Sequence, residues 1–474
     1  MQMPYNFVVI VSDTLRRDFL GCYGGTEADT RHIDAFAGQS VIFDRAYSAS
    51  FPTVPHRRDL MTGRYTFTYT PWAPLTREEP VLSEMLRRQG YMSMMISDTP
   101  HTLENGYGFD RGFDGFEWIR GQESDRWKTN PLNPPFRCDP SKIRSPRSMT
   151  SAHYKISSEW KYEEDRFVAR TMSAACKWLE DNRGIEPFFL YVDTFDPHEP
   201  WDAPQWLVDK FDPGYSGDVV DYPRYEYVKE FLTPEELRHC RALYAAEVTL
   251  VDRWVGRLLE RIEDMGLFEN TIVILTTDHG FLHGEHGVIG KSLIQANRFN
   301  YVPLYEEITH IPWIVHYPYC APHRTDAIVQ PPDIAPTLLD YANANTQVPL
   351  DGISFRKALE ARGEGREFAV ASPYAVEGGA AAVQATVTFD HWSAILSGKM
   401  PQKVRESDSA VDGSFKRIGE SDPLSDMLFD LSVDPKQERN VSSEHPEVIQ
   451  EARKMLLQLL KDANMKAEAV DLWR

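Results

Sequence analysis

The chain has 474 residues, 42% of them hydrophobic, which is more than one small domain needs, and it carries a formal net charge of −20 with a pI near 5.2. Such an acidic surface argues against nucleic acid and anionic membranes as partners, since both attract clustered Lys and Arg. No apolar run reaches the roughly 20 residues that span a bilayer, and the five scattered cysteines, Cys22, Cys138, Cys176, Cys240 and Cys320, suggest neither a disulfide framework nor a zinc cage.

The opening MQMPYNFVVIVSDTLRRD enters an apolar strand with no basic leader and no small-residue cleavage site, so a soluble cytoplasmic protein is expected. NFVVIVSD is a continuous apolar run ending in a carboxylate, the pattern of a parallel strand buried on both faces. Asp13 therefore falls at a strand tip, on the sheet edge where open α/β folds bind ligands. Next comes ASFPTVPHRRDLMTGRY, with Thr53 ahead of Pro55, Arg57, Leu60, Thr62, Gly63 and Arg64, and then His101 in SDTPHTL. From Arg120 to Lys155 the chain turns basic among prolines, with Arg126, Lys128, Arg137, Lys142, Arg144 and Arg147. A solvated insertion is the expectation there, ahead of a substrate-guiding rim or a subunit contact.

EDRFVARTMSAACKWLEDN and ALYAAEVTLVDRWVGRLLERIEDMG have apolar residues at helical spacing. They alternate with the strand-like runs EPFFLYVDTFDPH and NTIVILTTDHG, each followed by Asp or His. The pattern predicts an α/β fold with a large, mostly parallel sheet flanked by helices over 1–345. Farther on, VPLDGISFRKALEARGEGREFAVASPY, AAVQATVTFDHWSAILSG and DMLFDLSVDP read as short strands between Gly, Asp and Pro turns, and HPEVIQEARKMLLQLLKDANMKAEA reads as a closing helix. A smaller, more antiparallel α+β subdomain is expected over 346–474.

Asp13, Asp278 and His279 converge on one predicted sheet edge. Carboxylates with an imidazole suit Mn²⁺, Mg²⁺, Ca²⁺ or Zn²⁺. A lone strand-end Asp is more often a cap or turn residue, but FDPHEPW, with His198, adds a third such strand end.

On these motifs the chain resembles the type I sulfatases and the related phosphonate monoester hydrolases of the alkaline phosphatase superfamily. Those proteins carry Cys or Ser, then x-Pro-x-Arg, a short spacer and Thr-Gly-Arg, as Thr53 to Arg64 do here with Thr in place of the Cys or Ser. DTLRRDFLGCYGG, FDPHEPW, TTDHGFLHGEHGVIGKSL, PPDIAPTLLDYA, DGISFRKAL and LFDLSVDPKQERNV resemble further family segments in the right order. The resemblance implies one divalent metal ion held by Asp13, Asp278, His279 and Thr53, with Thr53 as nucleophile. It implies that Arg57 holds the nucleophile and the substrate's anionic oxygens, that Lys291 and His198 serve substrate and leaving group, and, more loosely, that His101 is a further active-site residue. A second metal from His198, His283 and Asp193 is not expected.

Threonine cannot become the formylglycine of the sulfatases, because its secondary alcohol oxidises at best to a ketone. Thr53 is therefore expected to attack as an unmodified, metal-activated hydroxyl, with preference moved toward phosphate diesters or phosphate and phosphonate monoesters. The alternatives are a sulfatase working through Thr53 and an inactive sulfatase-like binding protein. Retention of Asp13, Arg57, Asp278, His279 and Lys291, costly to bury without a role, argues for activity. The expected partner is a small anionic ester, and a homo-oligomer is left open.

Overall fold

The computed structural model of the chain describes residues 4–129, 134–295, 298–300, 302–344, 348–360, 365–373, 384–399 and 425–474. Its main sheet has eight strands: β1 (Asn6–Ser12), β2 (Val41–Phe43), β3 (Met92–Ser97), β4 (Gly115–Trp118), β5 (Phe188–Thr194), β6 (Thr271–Thr276), β7 (Trp313–His316) and β8 (His323–Thr325). Their order across the sheet is β8-β2-β7-β6-β1-β5-β3-β4. Only β7 runs against its neighbours; the other pairings are parallel.

The central strand β1 shows why the sheet needs cover on both sides. Its alternating side chains enter two different cores: Val8 and Ile10 go to one face, Phe7, Val9 and Val11 to the other. The first face is covered by α1 (Arg31–Ala37), α3 (Phe167–Asp181) and α4 (Pro234–Asp264), the second by α2 (Thr53–Thr62) and α5 (Ile334–Tyr341). The helix expected from Ala242 starts eight residues earlier, at Pro234, where Thr233 accepts from the Glu236 N–H at 3.2 Å and completes a capping box.

A second, antiparallel sheet follows, in the order β9 (Phe368–Ala371), β10 (Gln384–Phe389), β11 (Trp392–Ser397) and β12 (Met427–Asp430). The helix α6 (Pro446–Asp462) lays Ala452, Leu456 and Leu460 on it, and Ala49, Tyr65 and Phe67 from the first part of the chain share that core. Of the expected strand-like stretch VPLDGISFRKALEARGEGREFAVASPY, Phe368–Ala371 forms β9, while 348–360 form turns and a short helix, Arg356–Leu359. Parts of that expectation, 361–364, 374 and 381–383, lie outside the described residues.

Parallel packing brings β1, β5 and β6 side by side. Their C-terminal ends deliver Asp13, Asp193 and Asp278 to one edge, and the second face of the sheet sets the start of α2 beside them.

Candidate active site

The polypeptide turns sharply after β1. Thr14 has φ +63°, a left-handed conformation that a β-branched residue rarely adopts. It is pinned there on both sides: its N–H donates to Asp278 Oδ1 at 3.0 Å, and its carbonyl accepts from the Tyr244 hydroxyl at 2.7 Å. The turn fixes Asp13 against Asp278. With His279, they form the one group of three or more His, Cys, Asp or Glu side chains among the described residues whose ligand atoms converge, all lying within 4.8 Å of one another.

This group fits a divalent cation. All three side chains are buried, and Asp13 Oδ2 receives no hydrogen bond, since Arg57 Nη1 is 3.0 Å away but not aligned for one. Burial, reinforced by the neighbouring Asp278 and opposed by Arg57 and Lys291, pushes the Asp13 carboxyl up. His279 is already oriented. Its Nδ1 lies 2.9 Å from the Gly280 carbonyl, which can only accept, so Nδ1 carries the proton and the Nε2 lone pair faces the carboxylates. Burial holds its imidazole down to about 3, against the pull of Asp278, so it is neutral and able to ligate. Asp278 goes the other way from Asp13: burial raises it, but the charged groups beside it, the Arg57 guanidinium among them, outweigh that and hold it well below the usual range.

Thr53 is the first residue of α2 and is buried. Arg57, one turn later, donates from Nη1 to the Thr53 carbonyl at 3.3 Å and also reaches Asp278, which ties the helix start to the carboxylates. The resemblance gave Arg57 the nucleophile and the substrate's anionic oxygens. Within the protein its fully buried guanidinium forks onto Asp193, with Nε to Oδ2 at 3.0 Å and Nη2 to Oδ1 at 2.8 Å, while Nη1 serves Asp278 and adjoins Asp13. The physical reason is charge: three carboxylates are buried around it, and each is costly to leave unpaired.

Lys291 bridges to the next layer. Its ammonium lies 3.2 Å from His279 Nε2 and 3.0 Å from His198 Nε2. His198 Nδ1 is 2.6 Å from the Glu199 carbonyl, so its Nε2 lone pair points at the lysine. Burial and then Lys291 keep this imidazole neutral, well below its ordinary range. The Phe195 ring stacks on His198 at 4.1 Å and meets His101 edge-on at 5.7 Å. Asp193 and His283 do not join a second metal group among the described residues: Asp193 is committed to Arg57, and His283 is packed among Trp201, Tyr244 and Phe281.

In the 120–155 segment Arg126, Lys128, Arg137 and Arg147 are exposed, as expected of a solvated insertion, but other residues turn inward. Arg144 is held between Tyr222 and Tyr225, each ring 4.5 Å from its guanidinium carbon, and donates to Glu123 at 2.6 Å. Lys142 and Arg137 pair with Asp218 at 2.9 Å and Asp221 at 3.3 Å. Glu123, from the same segment, is buried and lies 2.7 Å from His101 Nε2. The sequence reading passed over Glu123. Its only local signal is a carboxylate in the short polar run GQESD, with no periodicity to show which residues turn inward.

The family profile described as Sulfatase matches residues 5–344. Among curated relatives, an uncharacterized sulfatase, YidJ, of Escherichia coli is 26% identical over 82% of this chain and 78% of its own length. An arylsulfatase of Clostridium perfringens is 23% identical over 97% of this chain and 95% of its own length. Among solved structures, the phosphonate monoester hydrolase of Agrobacterium radiobacter superposes with a TM-score of 0.70 at 18% identity, covering 97% of this chain and 96% of that one. With the family match spanning both the Asp13 turn and the Asp278-His279 strand end, the chain belongs to the sulfatase family and is an ester hydrolase.

Proposed function

We propose that this protein is a metal-dependent hydrolase that uses Thr53 as its nucleophile, on phosphonate or phosphate monoesters or on phosphate diesters. The observation that carries this reading is Thr53 itself, buried at the start of α2 and tied through Arg57 to Asp278 and Asp13. A divalent cation held by Asp13, Asp278 and His279, with the Thr53 hydroxyl as a fourth ligand, would lower the pKa of a bound hydroxyl and polarise the ester. The chain's own residues do the rest. Thr53 attacks the central phosphorus, Arg57 keeps the helix start and the carboxylates in register, and Lys291 meets charge that develops on the ester oxygens. The substrate class follows from threonine chemistry, which rules out the aldehyde hydrate by which sulfatases release sulfate.

The five cysteines are free thiols, which suits the reducing cytoplasm proposed for this protein. Among the described residues no helix is long and apolar enough to cross a membrane.

The relatives named as sulfatases favour a second reading, sulfate-ester hydrolysis through the same threonine. One assay panel decides: aryl sulfate, phosphate monoester, phosphate diester and phosphonate monoester, each with added Mn²⁺. The proposal expects a phosphorus ester to have the highest kcat/KM. Faster turnover of the aryl sulfate than of every phosphorus ester would replace it with the sulfatase reading, and no turnover of any ester would leave a binding protein.

A further inference from the structure

Lys291 stands at the end of a short strand whose backbone sets its place. Val288–Gly290 pairs with Leu282–His283, and Ile294, three residues past Lys291, donates its N–H to the Tyr225 carbonyl at 2.9 Å. Gly290 has φ +127°, and a Cβ there would meet the Tyr225 ring at 2.7 Å, so this approach requires glycine. The lysine that follows is 7% exposed, and its ammonium lies among buried imidazoles.

An ammonium has three N–H donors and no acceptor, and a buried donor without a partner is costly. Two of the three meet imidazoles, His198 Nε2 at 3.0 Å and His279 Nε2 at 3.2 Å. Both rings are set to accept. The Glu199 carbonyl, 2.6 Å from His198 Nδ1, and the Gly280 carbonyl, 2.9 Å from His279 Nδ1, each hold the proton on Nδ1 and leave the lone pair on Nε2. The Phe195 ring, stacked on His198 at 4.1 Å, fixes that imidazole further.

The two contacts differ in what else can use them. His279 Nε2 lies 3.4 Å from Asp278 Oδ2, and His279 belongs to the ligand group, whereas His198 lies outside it. An imidazole nitrogen has one lone pair. The ammonium or a divalent cation can take that of His279, but not both, and like charge adds to the exclusion. The charge of Lys291 also reaches the carboxylates: it opposes the rise of Asp13 and adds to the lowering of Asp278. Lys291 thus gives His279, Asp13 and Asp278 part of what a cation would give them.

We propose that Lys291 is an internal competitor for the cation site, its ammonium holding His279 Nε2 until a divalent cation claims that lone pair, and that His198 is the positioning residue that retains the displaced ammonium. The inference rests on the metal-dependent reading above and deepens it. With one donor kept on His198, the ammonium has two left for the anionic oxygens of an ester. Occupation of the metal site and presentation of Lys291 to the substrate are then one coupled equilibrium, in which each favours the other.

The test is the Kd for Mn²⁺ by isothermal titration calorimetry, a readout independent of turnover. Lys291→Met, which keeps the length of the side chain without its charge, should bind Mn²⁺ about 10-fold tighter than wild type, since no charged hydrogen bond has to be broken first. His198→Ala should act with the opposite sign, about 10-fold weaker, although it removes neither a ligand nor a charge, because the displaced ammonium is left without a partner. His198→Gln, whose amide oxygen accepts, should return the Kd toward that of wild type. In the Lys291→Met background the His198→Ala effect should vanish. Repulsion between like charges would produce the first of these results without the others. Lys291→Leu or His198→Leu stands in, with the same expectation, for a variant that does not fold. Binding by Lys291→Met no tighter than by wild type, or a His198→Ala effect of equal size in both backgrounds, would overturn the inference and leave the metal site standing. A wild type that binds no Mn²⁺ overturns the metal-dependent reading and this inference with it, a result seen before any variant is made.

Discussion

Arg57 and Asp193 form a two-point fork, Nε and Nη2 of the guanidinium lying 3.0 and 2.8 Å from the two carboxylate oxygens, with both side chains fully buried. The pair links α2 to the end of β5, and its spare Nη1 is left for Asp278 and Asp13. Removing the cation strands three carboxylates in the interior. Arg57→Gln is therefore expected to cost about 3–5 kcal/mol of stability, the range for breaking a buried ion pair. Urea unfolding followed by far-UV circular dichroism measures it, and a loss below about 1 kcal/mol would show that the carboxylates are not charged together.

The metal reading predicts a stability gain that depends on the ion. At a concentration of 100 Kd, one bound divalent cation adds about 2.7 kcal/mol, so melting after EDTA treatment should come well below melting with Mn²⁺. Asp278→Asn should abolish that difference. Lys291→Ala, which contacts His279 without belonging to the ligand group, should keep the difference and lose turnover. Equal loss of the metal effect in both variants would make Lys291 part of the metal site.

Thr53→Ala removes the nucleophile from the start of α2 and should lower turnover by orders of magnitude, with an unchanged circular dichroism spectrum. Thr53→Ser should retain much of the activity. Rapid quenching of the wild type with a phosphorus ester, followed by peptide mass spectrometry, should find a phosphoryl or phosphonyl group on an otherwise unmodified Thr53. An adduct elsewhere would move the nucleophile.

Asp59 supplies a pH prediction. It sits inside α2, where its two oxygens accept the Ser50 and Thr66 N–H groups, each at 2.7 Å, and burial pushes its carboxyl up from 3.8 to about 7 despite those bonds. A folded-state value above the unfolded one means that this group's contribution is fully present below about pH 4 and is lost as pH rises through 7. Asp59→Asn should destabilise at pH 5, because an amide accepts only one of the two N–H groups well, at a cost of about 1–3 kcal/mol. The gap to wild type should narrow by pH 8. A gap that stays constant instead, in melting curves taken across that interval, would show that Asp59 is charged in the fold throughout.

The strand tips made much of the site legible in advance. Asp13, Asp278 and His279 could be read because a buried parallel strand is a plain apolar run, and its first polar residue has nowhere to go but the ligand edge. Thr53 and His198 were readable by motif, not by pattern. The partnership of Arg57 with Asp193 was not, since it joins residues 136 positions apart and depends on which strands become neighbours. Glu123 and Arg144 were missed for a related reason. Charges in an irregular segment look solvated until the fold brings Tyr222 and Tyr225 over them.

The left-handed turn at Thr14 sets two demands on one codon. A threonine at φ +63° carries roughly 1–2 kcal/mol that glycine would not, so a library screened for thermal resistance alone should drift toward glycine there. Glycine would also free the peptide that ties Asp13 to Asp278, and with it the spacing of the two carboxylates. Selection for turnover should restore a side chain at that position. Sequences evolved under the two regimes would then diverge first beside Asp13.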